Sequence, residues 1–138
     1  MRRYNGRRGE TVLGKTRKKR VNSRGRNGED LAAKYLETHG YRILDRNYTT
    51  DVGEVDMFVT DEKTLVAVEV KSRLSLDYGT PAEAVGHQKI KKISQVTSQY
   101  IKQFRLFGVP VRFDVVEVYL QDRTVNHIIN AFDCYLNH

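Results

Sequence analysis

Downstream of residue 27 the apolar positions recur first at helical spacing and then at strand spacing. In GEDLAAKYLETHG, Leu31 and Tyr35 lie four apart, as do Ala32 and Leu36. That spacing predicts an amphipathic helix capped by Ser23 or Asn27 and stopped at Gly40. YRILDRNYTT alternates weakly and reads as a strand ended by a turn at Asp51, Val52 and Gly53. EVDMFV and TLVAVEVK follow as two strands joined by the polar link TDEK, a hairpin pattern. LDYGTPAEAV then carries a helix start, with Thr80 as N-cap, Pro81 at the first helical position and Glu83 completing a capping box. The long helix that follows has Val85, Ile90, Ile93, Val96, Tyr100, Ile101 and Phe104 on one face and ends at Gly108 and Pro110. Lys89, Lys91 and Lys92 point outward or toward a ligand. RFDVVEVYL and VNHIINAF are two more strands around a turn at QDRT. Helix, three strands, helix, two strands defines an α/β chain, most economically a sandwich with a central mixed β-sheet flanked by helices.

Two of these strands carry charges inside apolar runs. Side chains alternate faces along a strand, so Leu65, Ala67, Glu69 and Lys71 share one face and Val66, Val68 and Val70 the other. Glu69 and Lys71 are then neighbours, with Cα atoms about 7 Å apart. In the preceding strand Glu54, Asp56 and Phe58 share a face, opposed to Val55, Met57 and Val59. If the hairpin aligns the polar faces, Asp56, Glu69 and Lys71 converge at one end of the sheet. Glu29, one turn from the start of the first helix and close to its apolar stripe, can approach them. Three carboxylates around a small volume repel one another and are costly to desolvate, and a divalent cation relieves both costs. Oxygen donors without His or Cys suit Mg²⁺ or Mn²⁺ rather than Zn²⁺. Such a cation activates water toward a phosphodiester, with Lys71 orienting that water or stabilising charge on the phosphate. Plainer alternatives stand beside this reading: Glu29 complements the helix dipole, and the strand charges form a surface ion-pair ladder.

Composition narrows the choice. A chain of 138 residues is expected to form one domain around one core. No apolar run approaches the roughly 20 residues that span a bilayer, so no membrane association is expected. The basic N-terminus leads into TVLG and further Lys and Arg rather than an apolar stretch, so no signal peptide is expected. A single cysteine, Cys134, excludes an intrachain disulfide and a cysteine-based metal cluster, in keeping with a cytoplasmic location. His39, His87, His127 and His138 have no ligand spacing. The formal charge is +7, but its distribution matters more: residues 1–28 hold 11 Lys and Arg against one acid, whereas the remainder holds 13 basic and 16 acidic residues. Residues 1–23 read as a basic, disordered tail, since they hold too few apolar groups to offset the entropy of ordering. Arg17, Lys18, Lys19 and Arg20 are candidates for phosphate contacts there; the alternative is a solvated extension without a function. Asp114 reads as a structural hydrogen-bonding residue.

GEVD, LVAVEVKSR, YGTPAEAV, a helix with Gln88 and Lys89, RFDVVEV and a final NAF, in that order, resemble the YraN-like family of predicted bacterial endonucleases. That family is related to archaeal Holliday junction resolvases and, more widely, to the PD-(D/E)XK nucleases. The match covers roughly residues 24–132. The resemblance implies a restriction-endonuclease-like nuclease domain over residues 24–138, with Asp56 as the motif aspartate, Glu69 and Lys71 as the E-x-K pair and Glu29 as the helix acid. Val55 stands where the superfamily pattern has proline. The implied metal set is Asp56, Glu69, Glu29 and Val70, holding Mg²⁺ or Mn²⁺. DNA is the expected partner, with Arg73, Gln88 and Lys89 at flanking phosphates and a homodimer compatible with two-fold symmetric substrates. The alternative from another class is a non-catalytic nucleic-acid-binding module on the same fold.

Overall fold

The computed structural model describes residues 23–74 and 86–133. Helix α1 (Ser23–Thr38) leads into strands β1 (Arg42–Thr49), β2 (Glu54–Thr60) and β3 (Leu65–Arg73); helix α2 (His87–Phe104) follows, then β4 (Val111–Tyr119) and β5 (Thr124–Ile128). The strands form one sheet in the order β1-β2-β3-β4-β5, antiparallel throughout except for the parallel pair β3 and β4. Parallel neighbours need a crossover, and α2 lies within that connection. The chain is thus an α/β protein, its described residues forming a five-stranded mixed sheet with two helices packed against it. Among the described residues no helix is long and apolar enough to cross a membrane.

Alternation along the strands divides the core in two. Leu65 and Ala67 pack with Phe58, Phe113 and the α2 residues Ile93, Val96 and Tyr100, whereas Val66 and Val68 pack with Met57, Val59, Val116 and the α1 residues Ala32 and Leu36. Val55 departs from strict alternation. It joins the Phe58 cluster together with Tyr48, its partner on β1. The adjacent Asn47 takes a left-handed φ of 53°, which breaks the pleat of β1 at this point.

Helix ends correct three expectations. The helix α1 begins at Ser23, so Asn27 lies within it rather than capping it. Its C-terminus is as expected: Gly40, at φ 94°, donates to Glu37 O, and Tyr41 N donates to Leu36 O, closing a Schellman turn. The long helix does not run on from Pro81, because Gly86 is extended (φ −69°, ψ 159°) and α2 starts at His87; the Thr80 capping box lies outside the described residues. Arg105, not Gly108, terminates α2. It adopts the left-handed conformation, and the following Leu106 N donates to Ile101 O, burying Leu106 in the core.

Asp114, 1% exposed, ties β4 to β5. Arg112 donates to both its oxygens at 2.9 Å, Asn130 N donates to Oδ1 at 2.9 Å, and His127 Nε2 lies 2.8 Å from Oδ2. Facing an ionised carboxylate, that nitrogen carries the proton. Burial alone would raise the carboxyl, but the bonds from His127, Arg112 and Asn130 outweigh it and hold Asp114 below the ordinary carboxylate range. A depressed carboxyl contributes stability above its unfolded value of about 3.9 and loses it as pH falls through the folded value. Asp114→Asn is therefore expected to cost about 3 kcal/mol at pH 7 in urea unfolding, with the deficit shrinking below about pH 4; a deficit constant down to pH 2 would contradict this account.

Candidate functional site

The site is set by unequal strand pairing. β3 pairs with β4 over all nine residues from Leu65 to Arg73, but with β2 only as far as Met57 opposite Val68. Continuing that register one step places Asp56 opposite Glu69. There the backbone ladder is replaced by a side chain: Asp56 Oδ2 accepts the Val70 N–H at 2.8 Å. Strand geometry points the N–H and C=O of one residue to the same side, so the Val70 carbonyl also faces β2 beyond the last rung. Along the β1 to β2 register, Asn47 stands opposite Asp56. Asn47, Asp56 and Glu69 thus form a polar row across three strands.

The helices supply the rest. Gly28 brings α1 against β3 so closely that a Cβ there would lie 2.0 Å from Ser72 Oγ. The next residue, Glu29, accepts from Asn47 Nδ2 at 3.1 Å and lies 3.7 Å from Arg46 Nη2, which also bonds Asp30 at 2.8 Å. From the other face, Lys89 in the first turn of α2 reaches Glu69 Oε2 at 2.8 Å. A lysine near a helix N-terminus opposes the dipole, and the carboxylates offset that cost. The hydrogen bond to Glu69 raises the Lys89 pKa, with the charges of Glu69, Asp56 and Glu54 acting in the same direction.

Asp56 shows how crowded the negative charge is. Its accessible surface is intermediate, yet the surrounding protein desolvates the carboxyl. Burial first, then Glu69, with smaller contributions from Glu29 and Glu54, push its pKa up to about 8 against the opposing Val70 N–H bond. Lys71, half-buried, follows Glu69 on the same strand face. It makes no hydrogen bond or ion pair among the described residues.

The residues expected from sequence fall into three groups. Asp56, Glu69, Glu29 and the Val70 backbone come together around the splayed strand ends, with Lys71 and Lys89 beside them. Arg73 instead lies 3.5 Å from the buried Glu117, and Gln88 is exposed one residue before Lys89. Arg17, Lys18, Lys19 and Arg20 lie outside the described residues. Arg46 and Asn47, which hold Glu29, were not singled out from sequence; Asn47 betrays itself only through its left-handed backbone. Among the described residues no three His, Cys, Asp or Glu side chains already form a compact ligand group. Glu69 is engaged by Lys89, and Glu29 by Asn47 and Arg46. The donor chemistry nevertheless fits a hard divalent cation: the nearby ligands are all oxygen, and burial, followed by the charges of Glu69, Glu29 and Glu54, disfavours the ionised Asp56 carboxyl that a cation would stabilise.

Fold and site together define an α/β protein with an acidic centre at the splayed ends of two strands. The chain belongs to the family described as "Uncharacterised protein family UPF0102", which it matches over residues 28–118. It is 46% identical over 105 residues to a UPF0102 protein of Clostridioides difficile, covering 76% of this chain and 92% of that one. It is also 41% identical over 110 residues to one of Persephonella marina, covering 80% and 93%. A UPF0102 protein of Trichlorobacter lovleyi is 47% identical over 110 residues, covering 77% and 87%.

Asp56→Asn replaces a carboxyl whose ionisation the fold opposes while keeping an oxygen for the Val70 N–H. In EDTA this variant is expected to melt a few degrees above the parent, the shift that about 1 kcal/mol produces in a chain of this size. Added Mn²⁺ should stabilise the parent and leave the variant unchanged. A variant that melts lower in EDTA would show that the carboxylate is satisfied without a cation.

Proposed function

We propose that the chain is a divalent-metal-dependent nuclease that hydrolyses phosphodiester bonds in DNA, at branched or otherwise structured sites. The observation that carries this reading is the placement of Asp56 and Glu69 side by side where the β2–β3 ladder stops, with the Asp56 carboxyl raised by burial and then by its acidic neighbours. The resemblance to YraN-like proteins and the PD-(D/E)XK nucleases, with their restriction-endonuclease-like fold, supports the same reading, as does the order of the motif residues along β2 and β3. A cytoplasmic location accompanies it.

When bound, Mg²⁺ or Mn²⁺ supplies a Lewis acid for the phosphoryl oxygens and an acidified water. Asp56, Glu69 and the Val70 carbonyl hold the cation, while Glu29, fixed by Asn47, adds negative charge to the same centre. Lys71 stabilises charge developing on the phosphate. Lys89 exchanges Glu69 for a phosphate flanking the scissile bond.

A non-catalytic nucleic-acid-binding module is the second reading, and one observation favours it: the Lys89 ammonium bonds Glu69 Oε2 at 2.8 Å and offsets its charge. Cleavage separates the two. Labelled four-way junction, flap, single-stranded and duplex DNA are incubated with the protein in Mg²⁺ or Mn²⁺, with EDTA as control. Cutting is expected in metal alone, and Asp56→Ala or Lys71→Ala should abolish it with DNA affinity changed by less than about threefold, since removing one group from a charged surface leaves most phosphate contacts in place. Retained cleavage in either variant refutes the assignment. Binding without cutting on every substrate favours the module.

A further inference from the structure

A second feature lies on the outer face of α2. This helix of 18 residues carries Lys89, Lys91, Lys92 and Lys102 and no acid. Downstream of residue 28 acids outnumber bases by 16 to 13, so its lack of acids does not follow from the composition of the domain. A solvated helix face is ordinarily balanced by Glu and Lys pairs four residues apart, and α2 has none. Gln88, Lys91, Gln95, Ser98 and Lys102 recur at alternating intervals of three and four, which sets them in one stripe. All five line a groove of about 920 Å³, to which, among the described residues outside the helix, Val52 of the β1–β2 turn contributes.

We infer that this groove is a track for the sugar–phosphate backbone of a nucleic-acid strand, an inference that rests on the proposed function and names how the substrate is led to its site. Lys91 and Lys102 stand three turns apart on one side of the helix, about 16 Å along its axis, far enough apart to contact separate phosphates of one strand. Between them Gln95 and Ser98 offer neutral donors for phosphate and sugar oxygens. Among the described residues the lining holds no Phe, Tyr or Trp, so it provides neither their broad stacking platform for bases nor the aromatic anchor of a protein interface. Contacts of this kind fix position without reading sequence. The acid bonded to this face, Asp51, accepts from Gln99 Nε2 at 3.3 Å. At its Gln88 end the groove adjoins Lys89, whose ammonium bonds Glu69, so a strand laid in the track arrives at the acidic centre.

The test uses the full chain and its Lys91→Gln/Lys102→Gln double variant, both side chains being exposed. Binding of labelled single-stranded and duplex oligonucleotides of mixed sequence is followed by anisotropy from 50 to 300 mM KCl, concentrations chosen to span the range where counterion release dominates. The slope of log K against log salt is expected to fall in magnitude by about 1.4 to 1.8, two phosphate contacts at about 0.7 to 0.9 each, with an unchanged melting temperature. The exposed Lys63→Gln should leave the slope alone. An unchanged slope in the double variant overturns the track, as does polyglutamate that displaces the oligonucleotide as well as unlabelled DNA of equal charge. A reduced slope in a protein that cuts nothing overturns the nuclease reading and keeps the track; cleavage with an unchanged slope does the reverse.

Discussion

Asp56 takes over with its side chain a hydrogen bond that a β-ladder would make with its backbone. Because Oδ2 accepts the Val70 N–H, β2 and β3 can part after Met57 and Val68 without leaving that donor unsatisfied in a partly buried place. β3 stays in register because β4 continues to pair with it as far as Tyr119. One edge of its upper half is thereby opened toward β2, and Glu69, Val70 and Lys71 lie on it. The same bond fixes the carboxyl that suffers most from its neighbours. Holding Asp56 in place and crowding it are two consequences of one contact.

The remainder of the fold serves to keep that opening in shape. Two cores grip the sheet from opposite faces, and each helix delivers one charged group to the same point: α1 brings Glu29 by way of the close approach at Gly28, and α2 brings Lys89 from its first turn. Phe58 stacks on Tyr100 at 3.9 Å, and the Tyr100 hydroxyl donates to the buried Asp45 at 2.9 Å, which secures α2 over β1 and β2. At the far side of the sheet Asp114 draws β4, β5 and the loop after β5 together through Arg112, His127 and Asn130. Neither anchor touches the acidic centre, so the strained charges are confined to the splayed strand ends.

Much of this was legible in the sequence, for physical reasons that can be named. Period-two alternation sorted Leu65 and Ala67 from Val66 and Val68 correctly, because both faces of β3 are covered and each must be apolar. Gly40 marked the end of α1, since a left-handed residue closes the turn there. The same rule failed at α2, where Arg105 adopts that conformation and no residue type announces it. Val55 was assigned to the wrong cluster because the break lies on the neighbouring strand, at Asn47, and alternation within β2 carries no record of it. The convergence of Asp56 with Glu69 was expected as a possibility of register. What the sequence concealed was the partners: Lys89 read as a phosphate contact and is found on Glu69, Arg73 read likewise and lies beside Glu117, and Arg46 drew no attention. Pairing across strands and between helix and strand depends on tertiary placement that local pattern does not encode.

The central claim is that the splayed ends of β2 and β3 are built to receive a divalent cation. Crystals of the protein grown in saturating Mn²⁺ and measured at the manganese absorption edge test it most directly. The account predicts an anomalous peak between the Asp56 and Glu69 carboxylates, with Lys89 withdrawn from Glu69. No peak at that position, with the Lys89 to Glu69 ion pair intact, would contradict it.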